Sequence, residues 1–286
     1  MVNNYKGVED SLAFSEIVNK LRDFCLGEGF AEIHTQDRLS ILAACEDPDT
    51  VSTYNYMGEV WPLPQTGQMW LEYELLTKPE LPGVFCVSTS YRNEPNPVPG
   101  RHKLIFPMFE FELRGGIKDL ETFETKLLNH LGFDSKGTFV FRTYDKLKAF
   151  YKTNELSHKH ENQMLKDFGP VVFCSDFPIY TSPFWNMKQK SKTHAHKIDV
   201  IIEGNETIGS AERSSDPVEM KKNFYTISDG KYAKKLFELF GKERVEQELQ
   251  QFLDLKFFDR SGGGIGLTRL IDAMKRENLV AAAAVA

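Results

Sequence analysis

The sequence lacks the features that mark exported, membrane-embedded and disulfide-bonded proteins. It contains no run of about 18 apolar residues that could cross a bilayer. Its first residues, MVNNYKGVEDS, show neither the basic nor the apolar segment of a secretion signal. The four cysteines are widely spaced and form no C-x-x-C or Cys/His pair, which argues against a disulfide framework or a zinc site: Cys25, Cys45, Cys86 and Cys174. These absences predict a cytoplasmic protein with reduced thiols and no membrane association.

A concentration of positive charge is also missing. The net charge is −6 at pH 7, and the sequence contains no block of Lys and Arg. Proteins that bind nucleic acids normally present a basic face. The composition therefore lowers the expectation of RNA binding, while a local basic patch stays compatible with it.

What the sequence does contain is enough apolar material for one large core. Hydrophobic residues make up 41% and charged residues 27% of the chain, an ordinary globular balance. Strands are expected at 29–35, 84–91, 104–113, 170–175 and within 196–213, and helices at 11–29, 118–131, 144–168 and 216–256. Because strands and helices do not alternate regularly, the pattern predicts a single α+β domain on a mainly antiparallel sheet, spanning residues 1–280. The alanine-rich end, 281–286, is a low-complexity tail outside this domain.

One stretch combines charge, a loop and apolar residues in an unusual way. Residues 91–112 read YRNEPNPVPGRHKLIFPMFEFE, two strand-like segments joined by a Pro/Gly loop. Arg92 precedes the loop and Arg101-His102 close it, so a hairpin could direct them at one polyanion. The planar, always charged arginine fork suits a phosphate or a carboxylate. On these residues alone, a surface hairpin with ordinary ion pairs is the alternative.

The same stretch carries a family resemblance. The order R-x-E, loop, R-H-x-x-x-F-x-x-x-E-x-E resembles motif 2 of the class II aminoacyl-tRNA synthetases, with the aspartyl, asparaginyl and lysyl group as the closest subtype. The resemblance implies that Arg92 holds the α-phosphate of ATP and the substrate carboxylate. It implies further ATP contacts from Glu94 near the adenine, Phe106 under its ring, and Arg101 and His102 at the outer phosphates. Ile105 departs from the family, which usually has Glu before this Phe.

A second motif lies near the end of the sequence. RSGGGIGLTRLIDAMKRE (260–277) reads as a glycine-rich turn that leads into a helix. A glycine run alone indicates little more than a tight turn or close packing. With Arg269 in place, GGGIGLTR resembles class II motif 3, whose arginine lies against ATP from the side opposite the motif 2 phenylalanine.

Two acids in KIDVIIEGNET are candidates for a metal site. Asp199 and Glu206 flank an expected turn at Gly204-Asn205, so both belong to one strand–turn–strand unit. Carboxylates beside phosphate-binding arginines suit Mg²⁺ shared with ATP oxygens. Two solvated acids on a hairpin are the alternative. The spacing matches the metal-binding Asp and Glu of aspartyl-type synthetases, so the resemblance implies Mg²⁺ here.

The resemblance also implies a set of residues for amino-acid recognition. Arg213 stands in the position of the family arginine that reads the substrate side chain. PQTGQMWLE (64–72) resembles the segment that faces the amino acid, and its Q-x-x-L-E favours the asparaginyl subtype, since aspartyl enzymes have Lys in place of Leu71. The implied amino-acid-binding residues are Glu46, Thr66, Gln68, Glu72, Glu110 and Arg213. For Glu72, a place at the start of a helix is the alternative.

The expected chemistry follows from this family. A carboxylate attacks the α-phosphate of ATP, pyrophosphate leaves and an acyl-adenylate forms, while Arg92, Arg269 and Mg²⁺ neutralise charge. Synthetases of this group begin with an anticodon-binding OB-fold of about a hundred residues, and motif 1, GFAEIHTQD, begins too early here to leave room for one. The leading expectation is therefore an ATP-dependent ligase that amidates aspartate with ammonia.

Two alternatives stay open at this point. Asparagine could be activated instead and passed to tRNA or another acceptor, or the chain could be a regulatory paralogue without turnover. The family resemblance also implies a homodimer, although Gln36 stands in motif 1 where the family has proline.

Overall fold

The computed structural model describes residues 10–36, 38–41, 49–96, 103–181 and 184–280. Within them the α-helices are α1 Ser11–Gly27, α2 Gln68–Thr77, α3 Ile117–His130, α4 Tyr144–Phe150, α5 His158–Phe168, α6 Pro217–Thr226, α7 Lys231–Phe240, α8 Lys242–Leu253 and α9 Leu267–Arg276. The strands are β1 Ala31–Glu32, β2 Thr53–Tyr56, β3 Glu59–Pro62, β4 Gly83–Tyr91, β5 Ile105–Arg114, β6 Val140–Thr143, β7 Val171–Pro178, β8 His194–Ile202, β9 Asn205–Arg213 and β10 Arg260–Gly266. A membrane-spanning helix, which needs both length and continuous apolar character, is absent from this part of the chain.

One large sheet organises these elements. Its strand order is β1-β4-β5-β10-β9-β8-β7-β6, and β2 and β3 form a separate hairpin. The edge pairs β1/β4 and β6/β7 are parallel, and the inner pairs are antiparallel. The predicted fold class, a single α+β domain on a mainly antiparallel sheet, is confirmed. The proposed boundary at residue 280 stays a prediction, because 281–286 lie outside the described residues.

One face of the sheet packs against the hydrophobic core, and the other face borders a cavity. Successive residues of a strand point to opposite faces, and β5 shows the consequence. Phe109 and Phe111 are fully buried in a core formed with helices α1, α3 and α9. Phe106, Met108 and Glu110 alternate with them and line a cavity on the other face. One face therefore stabilises the fold, and the other is available for ligands.

A second apolar cluster closes one end of the cavity face. It joins α6, α7 and α8 around Trp185, whose ring meets those of Phe224 and Phe252 edge-on with centroids 5.6 Å apart. Met69 of α2 belongs to the same cluster. Because α2 also carries Gln68 and Glu72, this packing fixes the helix that forms the deep end of the cavity.

Two predicted segments are shorter or divided in the structure. The strand expected at 29–35 is limited to Ala31–Glu32, since only these residues pair with β4. The helical segment expected at 144–168 consists of α4 and α5. The break has a local cause: Lys152 adopts a left-handed φ of 51°, and Ser157 begins a new helix through a capping box with His160.

The turn between β8 and β9 lies one residue earlier than predicted. Its two central residues are Glu203 and Gly204, with φ of 51° and 75°. Two consecutive positive φ values are the pattern of the turn that suits the twist of an antiparallel hairpin. The correction leaves Asp199 and Glu206 on adjacent strands, as the sequence pattern required.

Candidate active site

A cavity of about 470 Å³ opens on the face of the sheet opposite α1 and α3, and residues of α9, among them Arg269, form part of its lining. Among the residues that line it are many of those singled out in the sequence: Thr66, Gln68, Arg92, Glu94, Phe106, Glu110, Glu206, Arg213 and Arg269. They come from distant segments, which meet because β5, β10 and β9 are neighbours in the sheet. Glu46, Arg101 and His102 lie outside the described residues.

Strand β5 orders the cavity from one end to the other. Alternate residues of a strand share a face and lie about 6.6 Å apart. Phe106, Met108, Glu110 and Glu112 therefore form a row. Phe106 is partly exposed at the outer end, whereas Glu112 is fully buried at the deep end. A ligand bound along this row would therefore contact an aromatic ring at one end and a buried, charged wall at the other.

The glycines of the presumed motif 3 turn are in fact the middle of strand β10. In the sheet, Gly262 pairs with Glu112 and Gly264 with Glu110. A Cβ added at Gly262 would stand 2.5 Å from the Glu112 Oε1 atom, and one at Gly264 would stand 2.7 Å from Met108 Cε. The absence of side chains on β10 thus makes room for the row on β5. Composition alone does not distinguish glycines that leave space for neighbouring side chains from glycines that permit a turn.

An ion pair forms the deep wall. Arg213, only 2% exposed, donates from Nε and Nη2 to the Glu112 Oε1 atom at 2.9 and 2.7 Å. Burial raises the pKa of Glu112 to about 7, and the neighbouring Arg213 guanidinium works against that rise. The pairing with Arg213 thus favours the charged form of Glu112 and opposes the effect of burial.

Glu72 lies one layer behind this wall. It is fully buried in the middle of α2, which begins at Gln68, so the alternative that Glu72 starts the helix is wrong. Its Oε2 accepts from Arg260 Nε and Nη2 at 3.0 and 2.7 Å, and its Oε1 accepts from Asn186 Nδ2 at 2.7 Å. Glu72 does not line the cavity. Its carboxylate is occupied by protein donors instead of facing the space for a ligand.

Arg260 and Asn186 were missed by the sequence analysis. Both are fully buried. Arg260 lies two positions before Gly262, the first residue of the glycine run, and its closeness to that run was the one available signal. Asn186 belongs to SPFWNM (182–187), which is similar to the family motif P-F-Y-x-M, but this similarity assigned no role to Asn186 itself.

A second carboxylate lies halfway along the row. Glu110 is 2% exposed and accepts hydrogen bonds from the hydroxyls of Thr66 and Ser88 and from the Gly67 N–H at 2.8 Å. Three donors on one carboxylate stabilise its charged form. The middle of the cavity thus offers a fixed negative charge, which suits an ammonium group of a ligand.

The outer end carries arginines in a more open setting. The Arg92 guanidinium lies 5.6 Å from the centroid of the Phe106 ring, and the Arg92 N–H donates to the Leu104 carbonyl at 2.7 Å. Arg269 is exposed and donates to the backbone carbonyl of Glu206. Neither guanidinium forms a salt bridge with a carboxylate in the described part of the chain, in contrast to Arg213. Both are placed to meet an anionic ligand.

The two candidate metal ligands converge on one small space. A Cβ added at Gly209 would stand 3.3 Å from the Glu206 Oε1 atom and 3.7 Å from the Asp199 Oδ1 atom. Asp199 Oδ1 is buried without a hydrogen-bond partner among the described residues, while Lys197 Nζ donates to Oδ2 at 2.9 Å. Burial raises the pKa of Asp199, and the Lys197 ammonium opposes that rise.

These oxygens fit a hard cation such as Mg²⁺. The described residues contain no group of three or more His, Cys, Asp or Glu side chains arranged to hold a metal by themselves. Asp199 and Glu206 would therefore supply two ligands and leave the remaining positions to phosphate oxygens and water, as Mg²⁺ commonly requires.

The sequence profile of the tRNA synthetases class II (D, K and N) matches residues 9–284. The chain belongs to this family. Class II synthetases are ATP-dependent ligases, and the geometry of this cavity is consistent with adenylate formation. A comparison with curated protein sequences found no match.

Solved structures share the fold. Asparaginyl-tRNA synthetase from Pyrococcus horikoshii, complexed with asparaginyl-adenylate, is 18% identical with a TM-score of 0.75, over 93% of this chain and 65% of that one. The Entamoeba histolytica asparaginyl enzyme, also with asparaginyl-adenylate, is 19% identical with a TM-score of 0.71, over 93% and 64%. The aspartyl enzyme from Entamoeba histolytica is 17% identical with a TM-score of 0.66, over 92% and 54%. This class II synthetase chain thus spans less than two thirds of the length of these structures.

Proposed function

We propose that this class II synthetase chain activates an amino acid of the aspartate/asparagine type with ATP. A carboxylate oxygen forms a bond to the α-phosphorus, the bond to pyrophosphate breaks, and an acyl-adenylate results. One observation carries the proposal: a single row on β5 runs from Phe106 to Glu112, with Arg92 beside its outer end and Arg213 at its deep end. A nucleotide fits the first half and a small amino acid the second.

At the outer end, the protein would bind ATP by stacking and by charge. Phe106 offers a ring face for the adenine, and Glu94 lines the cavity beside it. Arg92 and Arg269 would contact the phosphates and stabilise the charge that develops as pyrophosphate leaves. Mg²⁺ held by Asp199 and Glu206 would neutralise phosphate oxygens when bound.

At the deep end, the charges are balanced. Two guanidinium groups, Arg213 and Arg260, face two carboxylates, Glu112 and Glu72. A lone carboxylate of a ligand would bring a third negative charge into this buried group, and an unpaired buried charge is costly. The deep end therefore favours a group without net charge.

This balance is compatible with two reactions. If asparagine presents its α-carboxylate to ATP, its neutral carboxamide occupies the deep end. If aspartate presents its side-chain carboxylate, the deep end receives the α-ammonium and α-carboxylate, whose charges cancel. Aspartate activated at its α-carboxylate would place a lone carboxylate there, so this third reaction is disfavoured.

The leading proposal is the second of the two compatible reactions, the synthesis of asparagine. Ammonia attacks the acyl carbon of β-aspartyl-adenylate, the bond to AMP breaks, and the nitrogen loses a proton. The net charge of −6 supports a small acceptor, because an acceptor RNA would be repelled by a predominantly acidic protein. Asparagine activation for tRNA or another acceptor is the second candidate. It is favoured by the Gln68–Glu72 pair, whose sequence pattern resembles the asparaginyl subtype.

Pyrophosphate exchange screened over the twenty amino acids tests the activation step. We expect exchange with aspartate or asparagine. Trapping with hydroxylamine then identifies the activated carboxylate, since aspartate should yield the β-hydroxamate and asparagine the α-hydroxamate. Ammonium in place of hydroxylamine should convert aspartate to asparagine if the leading proposal is correct. Absence of exchange with both amino acids would refute adenylate formation.

A further inference from the structure

The side-chain amide of Gln68 lies between two buried carboxylates. Its Nε2 donates to Glu72 Oε1 at 3.2 Å and, over a longer contact, to Glu112 Oε1 at 3.4 Å. Gln68 is 7% exposed and lines the cavity, whereas Glu72 and Glu112 are fully buried behind it. The nitrogen of this amide therefore points away from the space that a ligand would occupy.

The opposite orientation of the amide is unfavourable. A carboxylate oxygen accepts hydrogen bonds and cannot donate them. Rotating the amide by half a turn would bring the Gln68 carbonyl oxygen against the carboxylate oxygens of Glu72 and Glu112. The orientation with the amide nitrogen toward the wall leaves the carbonyl oxygen as the polar atom that Gln68 presents to the cavity.

Arg260 holds the carboxylate that fixes this orientation. Its Nε and Nη2 donate to Glu72 Oε2, and its Nη1 donates to the Ser214 carbonyl at 3.1 Å. The guanidinium also lies 4.9 Å from the centroid of the Phe257 ring. Arg260 is fully buried and does not line the cavity. With Oε2 bound in this way, Glu72 keeps Oε1 for Asn186 and Gln68.

We propose that Arg260 is a specificity-positioning residue of this site. Through Glu72 it orients the Gln68 amide, so that the deep end presents a carbonyl acceptor to the ligand. Such a wall selects a ligand group with an N–H donor, a carboxamide or an ammonium, over a carboxylate. The choice of ligand rests on the proposed function, whereas the amide orientation does not.

The test uses the full chain with Glu72→Leu and Arg260→Met combined. Replacing both partners of a buried ion pair with apolar residues often preserves folding, whereas removing one leaves an unpaired charge. We expect the α-hydroxamate of aspartate to rise at least about tenfold relative to the preferred product, the scale of one net hydrogen bond. The KM for ATP should stay within about twofold of the wild-type value, because the change lies at the deep end.

A second measurement reports on the amide without requiring turnover. In a ¹⁵N-labelled chain, the Gln68 side-chain signal is assigned by its loss in Gln68→Met. We expect hydrogen exchange at this amide to be slow in the wild type and at least about tenfold faster in the double variant, since one of its two carboxylate acceptors is lost. The single change Arg260→Lys keeps Glu72 and a positive charge beside it. This variant should retain most of the protection of the Gln68 amide from exchange and most of the wild-type preference against the α-hydroxamate of aspartate.

The matched control removes an exposed ion pair on the other side of the molecule. Arg22 Nη2 lies 2.8 Å from Glu32 Oε1, and the double change Arg22→Ala with Glu32→Ala should alter neither readout. Unchanged amide exchange in the folded Glu72→Leu, Arg260→Met chain would overturn the orientation. Faster exchange with an unchanged share of α-hydroxamate would overturn the role in specificity. A wild type that forms no adenylate would refute the proposed function, and the amide measurement would still decide the orientation.

Discussion

The arginines at the two ends of the cavity differ in burial and in whether a carboxylate pairs with them. At the deep end, Arg213 and Arg260 are fully or almost fully buried, and each is paired with a carboxylate at 2.7 Å. At the outer end, Arg92 is partly exposed over the Phe106 ring, and Arg269 is exposed and donates to a backbone carbonyl. At the deep end each guanidinium already has a carboxylate partner within the protein, whereas the outer end has guanidinium groups that an anionic ligand would pair.

Under the proposed function, this difference separates selection of the ligand from catalysis. A wall whose groups are already paired and oriented can distinguish ligands by shape and polarity at no cost of reorganisation. Arginines that are not yet paired with a carboxylate can instead strengthen their contacts as charge develops on the phosphates. Removing a deep arginine should therefore affect stability first, and removing an outer arginine should affect activity first.

The largest expected effect is on the stability of an Arg213→Ala chain. The change leaves Glu112 buried without its cation, so we expect a loss of about 3–5 kcal/mol in the free energy of unfolding. Denaturant unfolding measures it, with Arg269→Ala as the control, expected within about 0.5 kcal/mol of wild type. The loss should be smaller at pH 6 than at pH 8, since burial raises the pKa of Glu112 to about 7 and its protonated form tolerates burial. Equal stability of the two variants would contradict the comparison.

Glu124 shows what a buried carboxyl costs without the pairing found at the deep end. It lies fully buried on α3 behind the sheet, and neither of its oxygens has a hydrogen-bond partner among the described residues. Burial raises its pKa from 4.5 to about 8. The unfolded chain therefore releases this proton at lower pH than the folded chain does. The free energy of unfolding should therefore fall by a few kcal/mol as the pH rises from 4.5 to about 8, since one pKa unit corresponds to about 1.4 kcal/mol.

A Glu124→Gln chain tests that pH dependence. Its free energy of unfolding should vary less than that of the wild type between pH 5 and pH 8 and should exceed it at pH 8. Denaturant unfolding at several pH values gives both curves. Curves that stay parallel over the whole range would show that Glu124 does not titrate in this way.

The largest effect on activity is expected from Arg92→Ala. Loss of one preorganised charge contact should lower pyrophosphate exchange by at least about a hundredfold. Unfolding of the variant should match that of the wild type, because Arg92 forms no ion pair with a buried carboxylate among the residues that the structure describes. Arg22→Ala, on the exposed face of α1, serves as the control for a lost surface arginine. Exchange at the wild-type rate would mean that Arg92 does not contact the phosphates.

A smaller effect is expected from Glu161, which lies beside the proposed metal site. Its Oε2 accepts the backbone N–H of Glu206 at 3.4 Å. Glu161→Ala should raise the Mg²⁺ concentration needed for half-maximal exchange by about tenfold, the lower range for a residue that orients a metal ligand. Glu161→Gln keeps an acceptor for the N–H and should behave like the wild type. If the Gln variant needs as much Mg²⁺ as the Ala variant, the carboxylate charge matters and the hydrogen bond does not.

Motif order indicated which segments build the cavity, but not how each segment folds. Arg92, Arg213, Gln68 and Glu110 line it together, as expected of residues carried by recognisable motifs. The glycines at 262–264 were misread as a turn, because their function is to leave space for side chains of a strand that is distant in sequence. Such a requirement is visible only when the two strands are paired.

The sequence by itself determined the family, the class of fold and many of the residues that line the cavity, because those depend on local patterns and motif order. Only the tertiary structure decided that Glu72 lies behind the wall and is held by Arg260, 188 positions away in the chain. Pairing between buried charges depends on which strands and helices become neighbours, and that is a property of the folded sheet.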